Sequence, residues 1–186
     1  MMEVQEGIPK GSAGHSLPLL RQLPAPEESN GEGVSRPTIY SGTVELEYPF
    51  KIGALALHYN GKFNGQYSSQ RLAATDRFSI GGRYTVRGFN GDSTLLAENG
   101  FVWRNELGVP LWQSKQELYV ACDYGAVDGP SVYTQLGRSL SGAAIGLRGG
   151  YKYFTYDAFV GIPWGVPKKF KEADSAVGGF RVTASF

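Results

Sequence analysis

Residues 117–126 read Glu117-Leu118-Tyr119-Val120-Ala121-Cys122-Asp123-Tyr124-Gly125-Ala126. Leu118, Val120, Cys122, Tyr124 and Ala126 fall on one side of an extended chain, and Glu117, Tyr119, Ala121 and Asp123 on the other, because successive strand side chains point to opposite faces. The same period of two recurs on both sides of this stretch. Val44, Leu46 and Tyr48 oppose Thr43, Glu45 and Glu47. Leu55, Leu57, Tyr59 and Phe63 oppose Ala56, His58, Asn60 and Lys62. Phe101, Trp103, Leu107 and Val109 oppose Arg104 and Glu106. Towards the C-terminus, Ile145, Leu147, Tyr151 and Tyr153 oppose Arg148 and Lys152. Tyr156, Ala158, Val160, Ile162 and Trp164 oppose Asp157 and Phe159, and Phe180, Val182, Ala184 and Phe186 oppose Arg181, Thr183 and Ser185.

Seven strands are predicted, each of nine to eleven residues, separated by turn-rich stretches such as Asp128-Gly129-Pro130. Ordinary strands have about five or six residues, whereas a tilted strand crossing a bilayer needs ~9–11. Tyr48, Phe50, Trp103, Trp112, Tyr153 and Trp164 stand near strand ends, where aromatic girdles of membrane barrels lie. A soluble barrel or sandwich alternates in the same way, so the pattern alone leaves both open. Charges of both signs on the polar face of the strands favour the membrane barrel.

Composition agrees with strand and turn. The chain has 26 Gly in 186 residues and 24 aromatics, but only 2 Met and 1 Cys. Glycine is about twice its ordinary usage. No Gly-X-Y repeat is present, and the aromatics argue against a wholly disordered chain. The net charge of +1, with scattered basic residues, gives no field for nucleic acid. One cysteine forms no internal disulfide. No run approaches the ~18 apolar residues of a spanning helix, and the N-terminus shows no secretory signal core.

The first 39 residues hold five of the ten prolines and no aromatic residue; aromatics begin at Tyr40. Such sequence cannot bury enough apolar surface to offset its ordering entropy. Residues 1–37 are therefore expected to be a disordered or unrelated N-terminal segment, and 38–186 the folded part. The chain ends on an alternating strand with a terminal aromatic, Phe180, Val182 and Phe186 lying on one face, the form of a C-terminal insertion signal read by outer-membrane barrel machinery.

Residues 76–107 carry Ile80-Gly81-Gly82, Val86-Arg87-Gly88-Phe89, Glu98-Asn99-Gly100 and Arg104-Asn105-Glu106-Leu107. In this order and spacing the four elements closely resemble the long sixth extracellular loop and following strand of the two-partner secretion transporters, the haemolysin and filamentous-haemagglutinin secretion/activation proteins of the Omp85 superfamily. The likeness continues through Asp123-Tyr124-Gly125, similar to that family's Asp-x-Gly strand motif, and covers about 38–186.

The resemblance implies an all-β fold, an antiparallel transmembrane β-barrel of which this chain is the C-terminal portion, about seven strands of sixteen. It implies a loop, 76–99, folded back into the lumen, with Arg87 paired to Asp123. The alternation separately puts Asp123 on the polar face, where a carboxylate away from bulk water needs a partner, and an arginine fork binds a carboxylate through two hydrogen bonds. Gly88 and the Gly81-Gly82 pair are expected to supply positive-φ turns and close backbone approach. If Arg87 and Asp123 pair, the charge-reversed double change Arg87→Asp with Asp123→Arg should recover some of the secretion lost by either single change. The implied function is an outer-membrane pore that secretes, and activates, an unfolded exoprotein of haemolysin or adhesin type by two-partner (type V) secretion. Its partners are that exoprotein, outer-membrane lipid and the barrel-insertion machinery; no cofactor, metal or catalysis is implied.

Other candidates carry less. His58 has no serine or acid placed beside it by sequence, and His15 lies in the N-terminal segment. Glu45, Glu47, Glu106 and Glu117 read as residues wetting a pore wall, and Cys122 as a small lipid-facing side chain. Full members carry two periplasmic POTRA domains ahead of the barrel, for which nothing here corresponds. Seven strands leave two open edges, so the chain reads as part of something larger. Three alternatives stand beside this reading: an Omp85-type barrel-assembly protein, a closed eight-stranded barrel with a strand hidden around Gln66 to Ser79, and a non-functional C-terminal remnant.

Overall fold

A computed structural model describes residues 4–5, 33–34, 36–111, 115–167 and 176–185. Most of the segment 1–37, with His15, and also Trp112 and Phe186, lie outside the described residues. Seven long antiparallel strands form one sheet. They are β2 (Ile39–Ile52), β3 (Leu55–Tyr67), β6 (Asn99–Leu111), β7 (Gln116–Asp128), β8 (Ser139–Tyr151), β9 (Phe154–Gly165) and β10 (Val177–Ala184). The two-residue β1 (Val4–Gln5) pairs with Tyr40 and Ile39 at the first edge. Between β3 and β6, β4 (Phe78–Ile80) and β5 (Leu95–Ala97) pair as a separate small hairpin.

Each alternating segment falls in one of the seven long strands, but most of the strands exceed nine to eleven residues. Six have 12 to 14, while β10 has 8. The segment 143–153 overshoots its strand: β8 ends at Tyr151, and Lys152-Tyr153 turn the chain into β9 with Lys152 at φ 51°. Tyr153 carries the odd-numbered apolar series of β8 one step into the turn, after which the outer face of β9 falls on even positions, Ala158 opposite Leu147 and Val160 opposite Ile145. No strand fills the gap in an eight-stranded barrel. After Tyr67 come a 3₁₀ turn (Ala74–Asp76) and the small β4–β5 hairpin, and the described strands form an open wall ending at β1 and β10.

The two ends of the wall differ. Gly53-Ala54 and Lys152-Tyr153 make short turns at one end, where β6 also ends at Leu111 and β7 begins at Gln116. At the other, long connections join β3 to β6, β7 to β8 and β9 to β10. Short turns on one side and long loops on the other are the asymmetry of outer-membrane barrels.

On the outer face Val44, Leu46, Tyr48, Leu118, Val120, Ile145, Val160 and Ile162 are exposed. Phe180 and Val182 point outward from β10 and are exposed too. Tyr48, half-buried Phe50 and Tyr153 lie towards the short-turn end, Trp103 and Trp164 towards the long-loop end. Exposed apolar side chains in such number suit hydrocarbon as solvent.

The inner face is covered near its long-loop end by residues 76–98. Ile80, Val86, Phe89, Leu95 and Ala97 of this segment bury themselves against Val102, Val127, Val132 and Leu140 of the wall and the β7–β8 connection. Val102, Val127 and Leu140 interrupt an otherwise polar face where the loop supplies them with an apolar partner.

Candidate functional site

The loop places Arg87 over β7. Both Arg87 and Asp123 are only 1% exposed. Arg87 Nε donates to Asp123 Oδ2 at 2.7 Å, Nη2 donates to Oδ1 at 2.6 Å, and the Arg87 backbone N–H donates to Oδ2 at 3.0 Å. This bidentate fork leaves Nη1 free for Glu106 of β6, whose Oε1 accepts from it at 2.5 Å. Burial by itself disfavours the charged guanidinium. The hydrogen bonds and charge of Asp123, then of Glu106, more than reverse this and raise the Arg87 pKa above its ordinary value.

The pair is the end of a chain of charges across the inner face. Glu106 Oε2 accepts from Arg148 Nη1 of β8 at 2.6 Å, and Arg148 in turn donates to Glu117 of β7. Glu117 Oε2 lies 2.9 Å from Nδ1 of His58 on β3. Arg104 stands 3.8 Å from both Asp123 and Glu106 and donates to the Tyr84 carbonyl at 3.4 Å. Tyr119 lies beneath, with the guanidinium groups of Arg148 and Arg87 4.9 and 5.9 Å from its ring centroid, and its hydroxyl donates to Asp157 Oδ1 at 2.7 Å. An added Cβ at Gly146 would run into the Tyr119 ring. Glycine there makes room for the aromatic floor.

Glycines also let the loop backbone touch the wall. Gly88 has φ 103°, and a Cβ on it would lie 2.5 Å from the Ile162 carbonyl of β9. A Cβ at Gly142 would overlap the Arg87 carbonyl oxygen, and at Gly125 it would press on Val86 and Ile80. Gly81 has φ 116° with the Ser93 carbonyl close by. Gly82 departs from the expectation: its φ is not positive and a Cβ would find only Gly91 Cα, at 4.0 Å. Its role is polar, since its N–H donates to Thr85 Oγ1 at 3.0 Å and its carbonyl accepts from Thr85 and Val86.

At the loop's return to the wall, Glu98 is fully buried. Its carboxylate accepts from the Ser131 hydroxyl at 2.6 Å and backbone N–H at 3.1 Å, with Arg77 Nε at 3.7 Å. Burial raises its pKa, but the Ser131 hydrogen bonds outweigh that, with Arg77 adding, and hold it below the usual carboxylate range. Asn99 Oδ1 accepts from the Ser68 N–H at 2.7 Å. A Cβ at Gly100 would collide with Phe78. Asn105 faces outward, taking the Tyr59 hydroxyl at 2.7 Å and donating to the Cys122 carbonyl. Leu107 is also exposed on that face, as is Cys122.

Sequence reading missed the part played by Arg148, Glu117, Tyr119, Ser131 and Gly142. Arg148 and Glu117 are direct cross-strand partners, so opposite charges on inner positions were the available signal once register is known. Ser131 and Gly142 carry no pattern; their positions follow from the folded loop. No group of His, Cys, Asp and Glu among the described residues could hold a metal ion. The arrangement pins a loop against the inside of a wall.

The sequence profile of the haemolysin secretion/activation protein family ShlB/FhaC/HecB matches residues 9–149, beginning within the proline-rich N-terminal segment. The chain is 41% identical over 145 residues to the outer membrane transporter CdiB-2 of Burkholderia pseudomallei (strain 1026b), covering 76% of this chain and 25% of the relative. It is 32% identical over 136 residues to the outer membrane transporter CdiB of Dickeya dadantii (strain 3937), covering 70% and 24%. Among solved structures, CdiB from Acinetobacter baumannii superposes with a TM-score of 0.74 at 31% identity, covering 81% of this chain and 28% of that one. CdiB from Escherichia coli gives 0.68 at 25% identity. The chain thus spans about a quarter of the length of these relatives.

Proposed function

This chain belongs to the haemolysin secretion/activation protein family ShlB/FhaC/HecB, and from that premise we propose that it is the C-terminal wall and lumenal loop of a pore that passes an unfolded partner exoprotein, of haemolysin or adhesin type, to the cell surface. Its place is the outer membrane, where its relatives are named transporters. The observation that carries the reading is the buried fork of Arg87 on Asp123, shared with Glu106. A loop held inside a barrel wall by ion pairs can occupy the lumen at rest and yield to a passing chain, because exchange between ionic partners costs less than unfolding a strand. The role needs no bond chemistry. His58, the one histidine on the described wall, is engaged by Glu117. Outer-membrane lipid meets the exposed apolar face, and the barrel-insertion machinery reads the last strand, with Phe180 and Val182 outward.

The test replaces the matching quarter of the B. pseudomallei transporter with residues 38–186 and measures heat-dependent gel mobility, outer-membrane level and export of that transporter's passenger. The chimera is expected to fold and export. Arg87→Ala in it should cut export at least about tenfold, the scale of a broken buried ion pair, while the heat-dependent mobility persists. Undiminished export by a folded Arg87→Ala chimera overturns the reading.

A further inference from the structure

Two sets of polar contacts hold the lumenal loop at different parts of it, and one apolar cluster runs beneath both parts. The tip carries Val86, Arg87, Gly88 and Phe89 and is held by Asp123, Glu106 and the apolar cluster. The base is the β4–β5 hairpin, held by the β7–β8 connection, whose 3₁₀ turn spans Pro130–Thr134. There Glu98 takes the Ser131 hydroxyl and N–H, and the Gln135 side chain joins β5 as though it were another strand residue. Its Oε1 accepts from the Leu96 N–H at 2.7 Å, and its Nε2 donates to the Leu96 carbonyl. A Cβ on Gly129, at φ 132°, would lie 2.5 Å from Glu98 Oε2, so the connection is shaped around that carboxylate.

Between base and tip the chain narrows to glycine. Gly81 and Gly91 both have positive φ, 116° and 100°. Gly82 and Gly91 face each other closely enough that a Cβ on Gly91 would lie 3.9 Å from Gly82 Cα. No side chain of these three residues ties the two limbs together. Positive φ with no Cβ is where backbone rotation meets least hindrance.

The geometry points to a loop of two bodies: Glu98, Ser131 and Gln135 are positioning residues that keep the base latched to the β7–β8 connection, while the tip, on its glycine neck, leaves the wall by itself when Arg87 parts from Asp123. The base then acts as a fixed pivot and guides the tip back to Asp123 and Glu106. This rests on reading 76–99 as the lumenal loop of an export pore, and the experiment separates the two claims.

The probes are Val86→Cys in the tip and Ala97→Cys in the base, both wholly buried positions, each in a Cys122→Ala background of the chimera and reacted with a water-soluble maleimide. Arg87→Ala should speed labelling of the tip probe on the order of tenfold or more, the loss expected for charge-assisted hydrogen bonds, and leave the base probe protected. Glu98→Ala with Gln135→Ala should expose the base probe. Gln135→Ala alone, which leaves the buried carboxylate satisfied, should expose it to a smaller extent, and serves where the double change does not fold. If Arg87→Ala exposes both probes together, or if losing Glu98 and Gln135 leaves the base probe protected, the two-body loop is wrong. If labelling splits as expected but export is unaffected by Arg87→Ala, the latch stands and the export role of the loop falls.

Discussion

Along β7, exposed Leu118, Val120 and Tyr124 alternate with buried Tyr119, Ala121 and Asp123, whereas between Ile80 and Leu95 no period orders the buried residues. There Val86, Arg87 and Phe89 are inside while Arg83 and Tyr84 are not. In the wall, the pleat decides which side chains meet which solvent, so repetition carries the information. In the loop each buried residue has its own counterpart across the lumenal face, and single contacts carry it. Damage to the two regions should therefore differ: one change in the loop removes a whole interaction, whereas one change in the wall is diluted over a sheet.

Arg87→Ala is the sharpest way to make that difference visible. It leaves Asp123 buried with its strongest donors gone, a change that costs ~3–5 kcal/mol when one partner of a buried pair is removed. Because Glu106 also binds Arg87 and Arg148, and Arg104 stands 3.8 Å from Asp123, the charge-reversed double change is expected to recover little. It would set an aspartate beside Glu106 and an arginine beside Arg104, and it removes the acceptor of the residue 87 backbone N–H. Arg87→Lys should recover part of the loss through charge without the fork. Probe labelling at position 86 ranks the variants, and recovery by the swap to the level of Arg87→Lys would show that the pair works in isolation.

For the wall, Val120→Arg puts a charge near the middle of β7 on the outer face, at ~2–4 kcal/mol if that face meets hydrocarbon at midplane. Val120→Thr, which keeps β-branching, should be mild. Outer-membrane level and heat-dependent mobility report the difference. Equal behaviour of the two variants would mean this face is covered by something other than lipid. Gly142→Ala lies where wall meets loop, and its Cβ would sit in the Arg87 carbonyl. Overpacking of this kind costs ~1–3 kcal/mol. The wall should survive it, with the tip displaced, seen as labelling at position 86 without loss of heat-dependent mobility.

That contrast also explains what could be seen in the sequence. All seven long strands, their inner and outer faces and the inward Asp123 follow from a period of two, which the chain cannot break without exposing the wrong side chains. The turn at Lys152-Tyr153 is hidden because Tyr153 extends the odd-numbered series Ile145, Leu147 and Tyr151 by one step before the apolar set moves to even positions in β9. The loop was visible only by resemblance, through Val86-Arg87-Gly88-Phe89 and its neighbours. Its counterparts stayed hidden: Ser131 for Glu98, Gln135 for Leu96, Glu106 for the spare guanidinium nitrogen. Each is a contact between residues 19 to 39 apart in the chain, and no local pattern encodes such a distance.

Smaller effects sharpen the comparison inside the loop itself. Glu98 is held below the usual carboxylate range, so its folded pKa lies beneath its unfolded one, about 4.3. The stability it lends the base is then fully present above that unfolded value and is lost as pH falls through the lower, folded one. The probe at position 97 should stay protected at neutral pH and open on acidification below about 4, with the Glu98→Gln variant flat over the same range. A wild-type base that is equally protected at both pH values would mean the carboxylate's charge is not what fastens it.

The least effect is expected from Gly82→Ala, and its value lies in the neighbour it is compared with. Gly81 and Gly82 look alike in the sequence, but only Gly81 has a positive φ, and a Cβ there would lie 2.7 Å from the Ser93 carbonyl. Gly81→Ala must therefore bear both backbone strain and a clash. At Gly82 the backbone already suits an L-residue and the nearest atom, Gly91 Cα, is 4.0 Å from the added carbon, an ordinary contact. Its N–H and carbonyl bonds to Thr85 survive the change. Gly82→Ala should thus fall within about 0.5 kcal/mol of the parent, the range of changes that touch no special feature, whereas Gly81→Ala should loosen the tip measurably. Equal loosening by both would mean that the neck needs two adjacent free residues, and that the freedom of Gly82 is used in a conformation other than the docked one.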